Sequence, residues 1–172
     1  TPDNLKVLKK HLKQPIKIIV LTRPLLEILS SFLKVLESWK ESDEKKCEML
    51  MRKGDIIHKS YLCIENLSKP ENRHFAHFIK YKDFIKNPKE TIKGIYKFLE
   101  IPFYNHQFKN LKQFKANGVS YVEDWLDGRK SNFEDLHTIK TNGLSLTEHK
   151  PLPEIITNKY KHLNNLTNGE LK

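Results

Sequence analysis

Arginine is scarce in this chain: only four of the 31 basic residues are arginine, at positions 23, 52, 73 and 129. Glycine is scarce too. The six glycines, at 54, 94, 118, 128, 143 and 169, are isolated, and none stands directly before a Lys-Ser or Lys-Thr pair. That excludes the glycine-rich phosphate loop a nucleoside-kinase type of phosphotransferase requires. The two cysteines, Cys47 and Cys63, have no histidine at ligand spacing, so no zinc site is expected and no metal is implied. Two free thiols in a reducing compartment is the simpler reading, which predicts a cytoplasmic location. The longest apolar stretches, around 18–21 and around 25–29 with Glu27 inside it, are far too short to cross a bilayer, so no membrane segment is expected. No block of five or six like charges marks a nucleic-acid-binding tail.

What is present bounds the chain as one domain. A length of 172 residues suffices for a core. The net charge of +10 sets up a field that concentrates anions, although the lysines are scattered along the chain. Residues 3–14 have helical spacing, with Leu5, Leu8 and Leu12 on one side and Pro15 as the stop. Residues 16–22 form a β-branched run without polar alternation, the pattern of a parallel strand covered on both faces. Pro24 suits the first turn of a helix, and apolar residues then recur at helical intervals from Leu25 to Trp39, predicting a helix to near Ser42. Glu27, Ser31, Lys34 and Ser38 form a polar stripe along it.

A second helix is expected over 55–67 and a strand over 74–81. The stretch "NPKETIKGIYKFLEIP" predicts a helix with Asn87 as N-cap, Pro88 at its first position and Glu90 completing a capping box. Ile92, Ile95, Tyr96 and Leu99 give it an apolar face. Residues 102–150 read as an ordered, loop-rich segment, followed by a last helix at about 153–163. The order strand, helices, strand, helix implies an α/β domain whose parallel sheet is flanked by helices, spanning 1–172.

In open parallel sheets, ligands bind beyond the carboxyl ends of strands, where helix N-termini present unpaired N–H groups. Arg23 occupies that spot, and its guanidinium is a planar, permanently charged fork suited to phosphate. Ser31, eight residues later, lies about two turns into the helix and offers a hydroxyl to the same anion. Taken alone, an arginine at a strand end is more often a salt-bridging residue, and a serine on a polar stripe is more often idle.

Further residues change the balance. The segment "FIKYKDFIKNPKETIKGIYKFLEIP" follows, with Tyr81, Asp83, Phe84, Asn87, Pro88, Ile95, Tyr96, Phe98 and Leu99 in order. Together the two segments resemble the sulfotransferase family that uses 3'-phosphoadenosine 5'-phosphosulfate (PAPS). There a hydrophobic strand ends in an Arg, and a Ser eight residues on helps bind the 3'-phosphate. Lys82 replaces the family's usual Glu in the second segment. A third stretch, "DLHTIKTNG", is similar to the C-terminal loop of sulfotransferases from cyanobacteria and marine phages, with Lys140 where an Arg is expected.

The resemblance covers roughly residues 16–160. It implies a P-loop-kinase-like sulfotransferase fold, PAPS as co-substrate, 3'-phosphoadenosine 5'-phosphate (PAP) as product, and a small-molecule or glycan acceptor bearing a hydroxyl or amine. Arg23 and Ser31 are the implied cofactor-binding residues, with Lys140, Arg129 and Lys130 as further candidates. His137 and His58 are candidates for a catalytic contact, although each also fits a structural histidine. Trp125 is a candidate for stacking on adenine. The family's loop for the 5'-phosphosulfate has no counterpart in this sequence. Together with a first residue that is not Met, this leads to the expectation that the chain is the C-terminal part of a longer enzyme. Two rival readings are a catalytically dead sulfotransferase-like fragment and a non-catalytic basic α/β module that binds nucleotide, nucleic acid or another polyanion.

Overall fold

A computed structural model of the chain describes residues 2–109, 115–116, 119–120 and 150–164. Helix α1 (Pro2–His11) leads into strand β1 (Ile18–Thr22) and helix α2 (Leu25–Val35). Helices α3 (Asp43–Leu50), α4 (Ile56–Ser68) and the single turn α5 (Pro70–Arg73) form the crossover to strand β2 (Ala76–Lys80). Helices α6 (Tyr81–Lys86) and α7 (Pro88–Leu99) follow, then a two-residue pair, β3 (Lys115–Ala116) and β4 (Val119–Ser120). Helix α8 (Glu154–Tyr160) closes the described chain with a 3-10 turn, Lys161–Leu163.

β1 and β2 pair in parallel, with Ile18 opposite Ala76 and Thr22 opposite Lys80. The expected α/β class and parallel pairing are therefore present. The long helical crossover is what a parallel pair requires, since a tight turn cannot connect two strands running the same way. At the carboxyl end, the buried Thr22 donates its hydroxyl to the Ile79 carbonyl at 3.1 Å, locking the two strand ends together.

The main core forms beside the sheet. Leu25, Leu29 and Leu33, one turn apart on α2, are completely buried with Cys47 of α3, alongside Ile57 of α4 and Ile156 of α8. Each such leucine stabilises the fold by about 1.5–3 kcal/mol relative to an exposed one. A second cluster, Leu5, Leu67 and Ala76 with Ile18, Val20 and Phe78 packed against it, covers one face of the sheet through α1 and α4.

The expectation that β1 is covered on both faces is corrected. On the second face, α7 stacks Phe98 on His77 of β2, with ring centroids 5.3 Å apart. It does not extend over β1, where Ile19 and Leu21 remain 37% and 52% exposed. A run of β-branched residues reports affinity for burial, and which neighbour supplies that burial is not encoded in the run itself.

Three local expectations are also revised. The helix predicted to reach Ser42 stops at Val35, and Ser42 instead caps α3, accepting a hydrogen bond from the Lys45 amide at 3.3 Å. Asp43 and Glu44 in the first turn of α3 complement the positive end of its dipole. The helix expected over 3–14 ends at His11, and of its apolar side Leu5 is buried in the cluster under the sheet while Leu8 and, just beyond the helix, Leu12 are exposed. The capping box at Asn87 does not form: Asn87 makes no side-chain cap, and Glu90 pairs with Lys93 at 2.7 Å. Pro88 at the first position of α7 is as expected.

α7 ends at Glu100, whose φ of 58° is a left-handed closure more often met at glycine or asparagine. Its carboxylate lies 3.0 Å from Lys17 Nζ at the start of β1, an ion pair by distance but without hydrogen-bond alignment. The last helix falls where expected. Most of the loop-rich segment lies outside the described residues.

Candidate anion-binding site

Arg23 is the first residue after β1, and Pro24 then sets the N-cap of α2. With no hydrogen-bonding side chain, Pro24 makes no cap, so the first amides of α2 need acceptors from elsewhere. One comes from the far end of the chain: Asn164 Oδ1 accepts from the Leu26 N–H at 3.1 Å.

The Arg23 side chain is only 15% exposed and is held from two sides. Its Nε donates to Glu27 Oε2 at 3.1 Å, across one turn of α2. Its guanidinium also lies over the Tyr81 ring, 4.8 Å from the centroid. Tyr81 opens α6 directly after β2, so this contact joins the carboxyl ends of both strands. The parallel register, which sets Thr22 beside Lys80, is what brings residues 23 and 81 together.

Ser31 is half-buried, one turn beyond Glu27 on the same side of α2. The face of α2 that carries the expected pair thus runs Arg23, Glu27, Ser31. The carboxylate in its middle fixes the plane of the guanidinium and offsets part of its charge. An anion bound here meets a cation already turned and partly neutralised.

His58 sits at the opening of α4, where its Nδ1 accepts from the Gly54 amide at 3.4 Å. That contact ties it to the turn ahead of its own helix. His137, Lys140, Arg129, Lys130 and Trp125 lie outside the described residues. Among the described residues no group of His, Cys, Asp or Glu is arranged to hold a metal ion, and no helix is long and apolar enough to cross a membrane. Cys47 and Cys63 are both free thiols.

Glu27, Tyr81 and Asn164 were not expected at the site. Arg23 and Glu27 are spaced for an i, i+4 ion pair, a signal readable from the sequence. Tyr81 required knowledge of the strand register. Asn164 left no local signal.

Fold and site together define an α/β domain with a cationic group at the carboxyl end of its parallel strands. The chain belongs to the sulfotransferase family: the profile described as "Sulfotransferase domain" matches residues 3–162. Among solved structures it is similar to a "Sulfotransferase Domain from the Curacin Biosynthetic Pathway", with 21% identity and a TM-score of 0.51. The match covers 95% of this chain but only 58% of that one. No curated protein matches.

Proposed function

We propose that this chain carries the 3'-phosphate-binding part of a PAPS-dependent sulfotransferase, which moves a sulfuryl group to a hydroxyl or amine of a small-molecule or glycan acceptor. The observation that carries the reading is the placement of Arg23, largely buried where a parallel strand gives way to a helix and stacked on Tyr81 at the neighbouring strand end. Membership of the sulfotransferase family supports the reaction class. The two free thiols suit a reducing, cytoplasmic setting.

The residues present fit one end of the co-substrate. Arg23, the first turn of α2 and Ser31 supply a permanent cation, amide donors and a hydroxyl for a ribose 3'-phosphate. No glycine-rich stretch of the sequence offers a cradle for the 5'-phosphosulfate, so the proposal for these residues concerns grip and orientation. When bound, PAPS supplies the sulfuryl group and leaves as PAP. Holding the far end of the nucleotide fixes where the reacting end lies, which is a positioning contribution to rate. His137 is retained as the candidate for a catalytic contact, and no residue is assigned as the base that takes the acceptor proton.

Calorimetry or thermal shift with PAP against AMP tests the reading, because AMP lacks the 3'-phosphate. A ligand at a hundred times its Kd raises stability by about 2.7 kcal/mol, well within reach of either method. Tighter binding of PAP than AMP is expected. Equal binding of the two would leave a general polyanion-binding module as the better account.

A further inference from the structure

The segment 150–164 runs as a strap across α2, α3 and α4. Ser30 of α2 donates its hydroxyl to the Lys150 carbonyl at 2.5 Å, and Lys150 pairs with Asp43 at 3.0 Å. Ile156 is buried in the main core, and Lys159 reaches Glu48 at 2.7 Å. The Tyr61 hydroxyl donates to the Leu163 carbonyl, and the next residue, Asn164, takes the Leu26 amide.

We propose that Asn164 is a positioning residue for the anion site, holding the first turn of α2 in place beside Arg23 with a neutral acceptor. The inference rests on the 3'-phosphate reading above. Leu26 is the second residue of α2, the position whose amide an N-cap side chain ordinarily satisfies, and Pro24 cannot do so. Asn164 performs that task from 138 residues away. Asparagine and aspartate cap helices about equally well, and the helix dipole favours the charged one. A neutral amide is therefore the less stabilising choice for the empty helix but the compatible one for an anion. Glu27 already offsets part of the arginine's charge, so a second carboxylate within about one turn of it would repel a bound phosphate.

The test is Asn164→Asp in the full chain, with unfolding temperature and the Kd values for PAP and AMP measured at low and high salt. The variant is expected to unfold at the same or a higher temperature while losing about tenfold of its preference for PAP over AMP, with part of that loss recovered at high salt. Asn164→Ser, a neutral acceptor, is expected to keep most of the preference. If Asn164→Asp is stable and retains the wild-type preference, the side chain is only a structural cap and the inference is overturned. If the wild-type chain itself shows no preference for PAP, the 3'-phosphate reading fails first and this inference falls with it.

Discussion

Replacing Arg23 by alanine removes an ion pair, a ring contact and the proposed phosphate grip together, and their separate sizes make the experiment decisive. The pair with Glu27 joins a carboxylate that is 38% exposed, so solvent screening limits its worth to about 0.5 kcal/mol. The contact with Tyr81 adds roughly 0.5–1 kcal/mol. Stability is therefore expected to fall by only about 1–2 kcal/mol, a few degrees in Tm for a chain of this size. The effect on ligand binding is larger. Hydrogen bonds to charged groups contribute about 1.5–3 kcal/mol, so losing a guanidinium–phosphate contact weakens PAP binding by about 10- to 150-fold. AMP binding should scarcely change. Arg23→Lys restores the charge but not the planar fork and should fall between the two. Glu27→Gln removes the competing carboxylate and should tighten PAP binding severalfold. Titration calorimetry on the four proteins reads these ratios directly. The reasoning is refuted if Arg23→Ala loses the expected stability yet keeps the wild-type preference for PAP.

Three further outcomes are expected. Ser31→Ala should weaken PAP binding by about two- to tenfold, the size of one ordinary hydrogen bond, with unfolding unchanged. Leu29→Ala, at a fully buried core position, should cost about 2.7–5 kcal/mol in a urea titration, with a shifted midpoint and an unchanged slope. Stability should also decline at alkaline pH. Burial, and secondarily the nearby Asp43, pushes the Cys47 thiol up to about 11, and burial with Glu65 pushes the Tyr61 phenol up to about 12. Both groups ionise earlier in the unfolded chain, so their contribution is complete below about pH 9 and is lost as pH rises through 11–12. Cys47→Ala should flatten the first part of that decline in a pH series of thermal melts.

The elements that build the site were legible because their signals are local. A β-branched run, an arginine and a proline in succession mark the turn from β1 into α2, and Pro88 marks the start of α7. The start of α3 was equally legible in Ser42, Asp43 and Glu44, but the apolar periodicity running to Trp39 masked it. The partners of Arg23 show where local reading stops. Glu27 follows from spacing on one helix, whereas Tyr81 depends on a strand register 58 residues apart. The exposed flank of β1 was misread for a related reason: hydrophobicity records a preference for burial, and the packing that grants it belongs to other segments.

The reach from Leu26 to Asn164 also bears on how the protein is made. Chains emerge from the ribosome at about 5–20 residues per second, so α2 would be synthesised roughly 7–28 seconds before the side chain that caps it appears. Through that interval the parallel pair can form, since β2 follows β1 by far less chain, while the mouth of α2 stays open to water. The candidate site is thus completed after the strand pair that gives the domain its shape, and a transcript truncated shortly before position 164 would yield a chain able to pair its strands but unable to finish the end of α2.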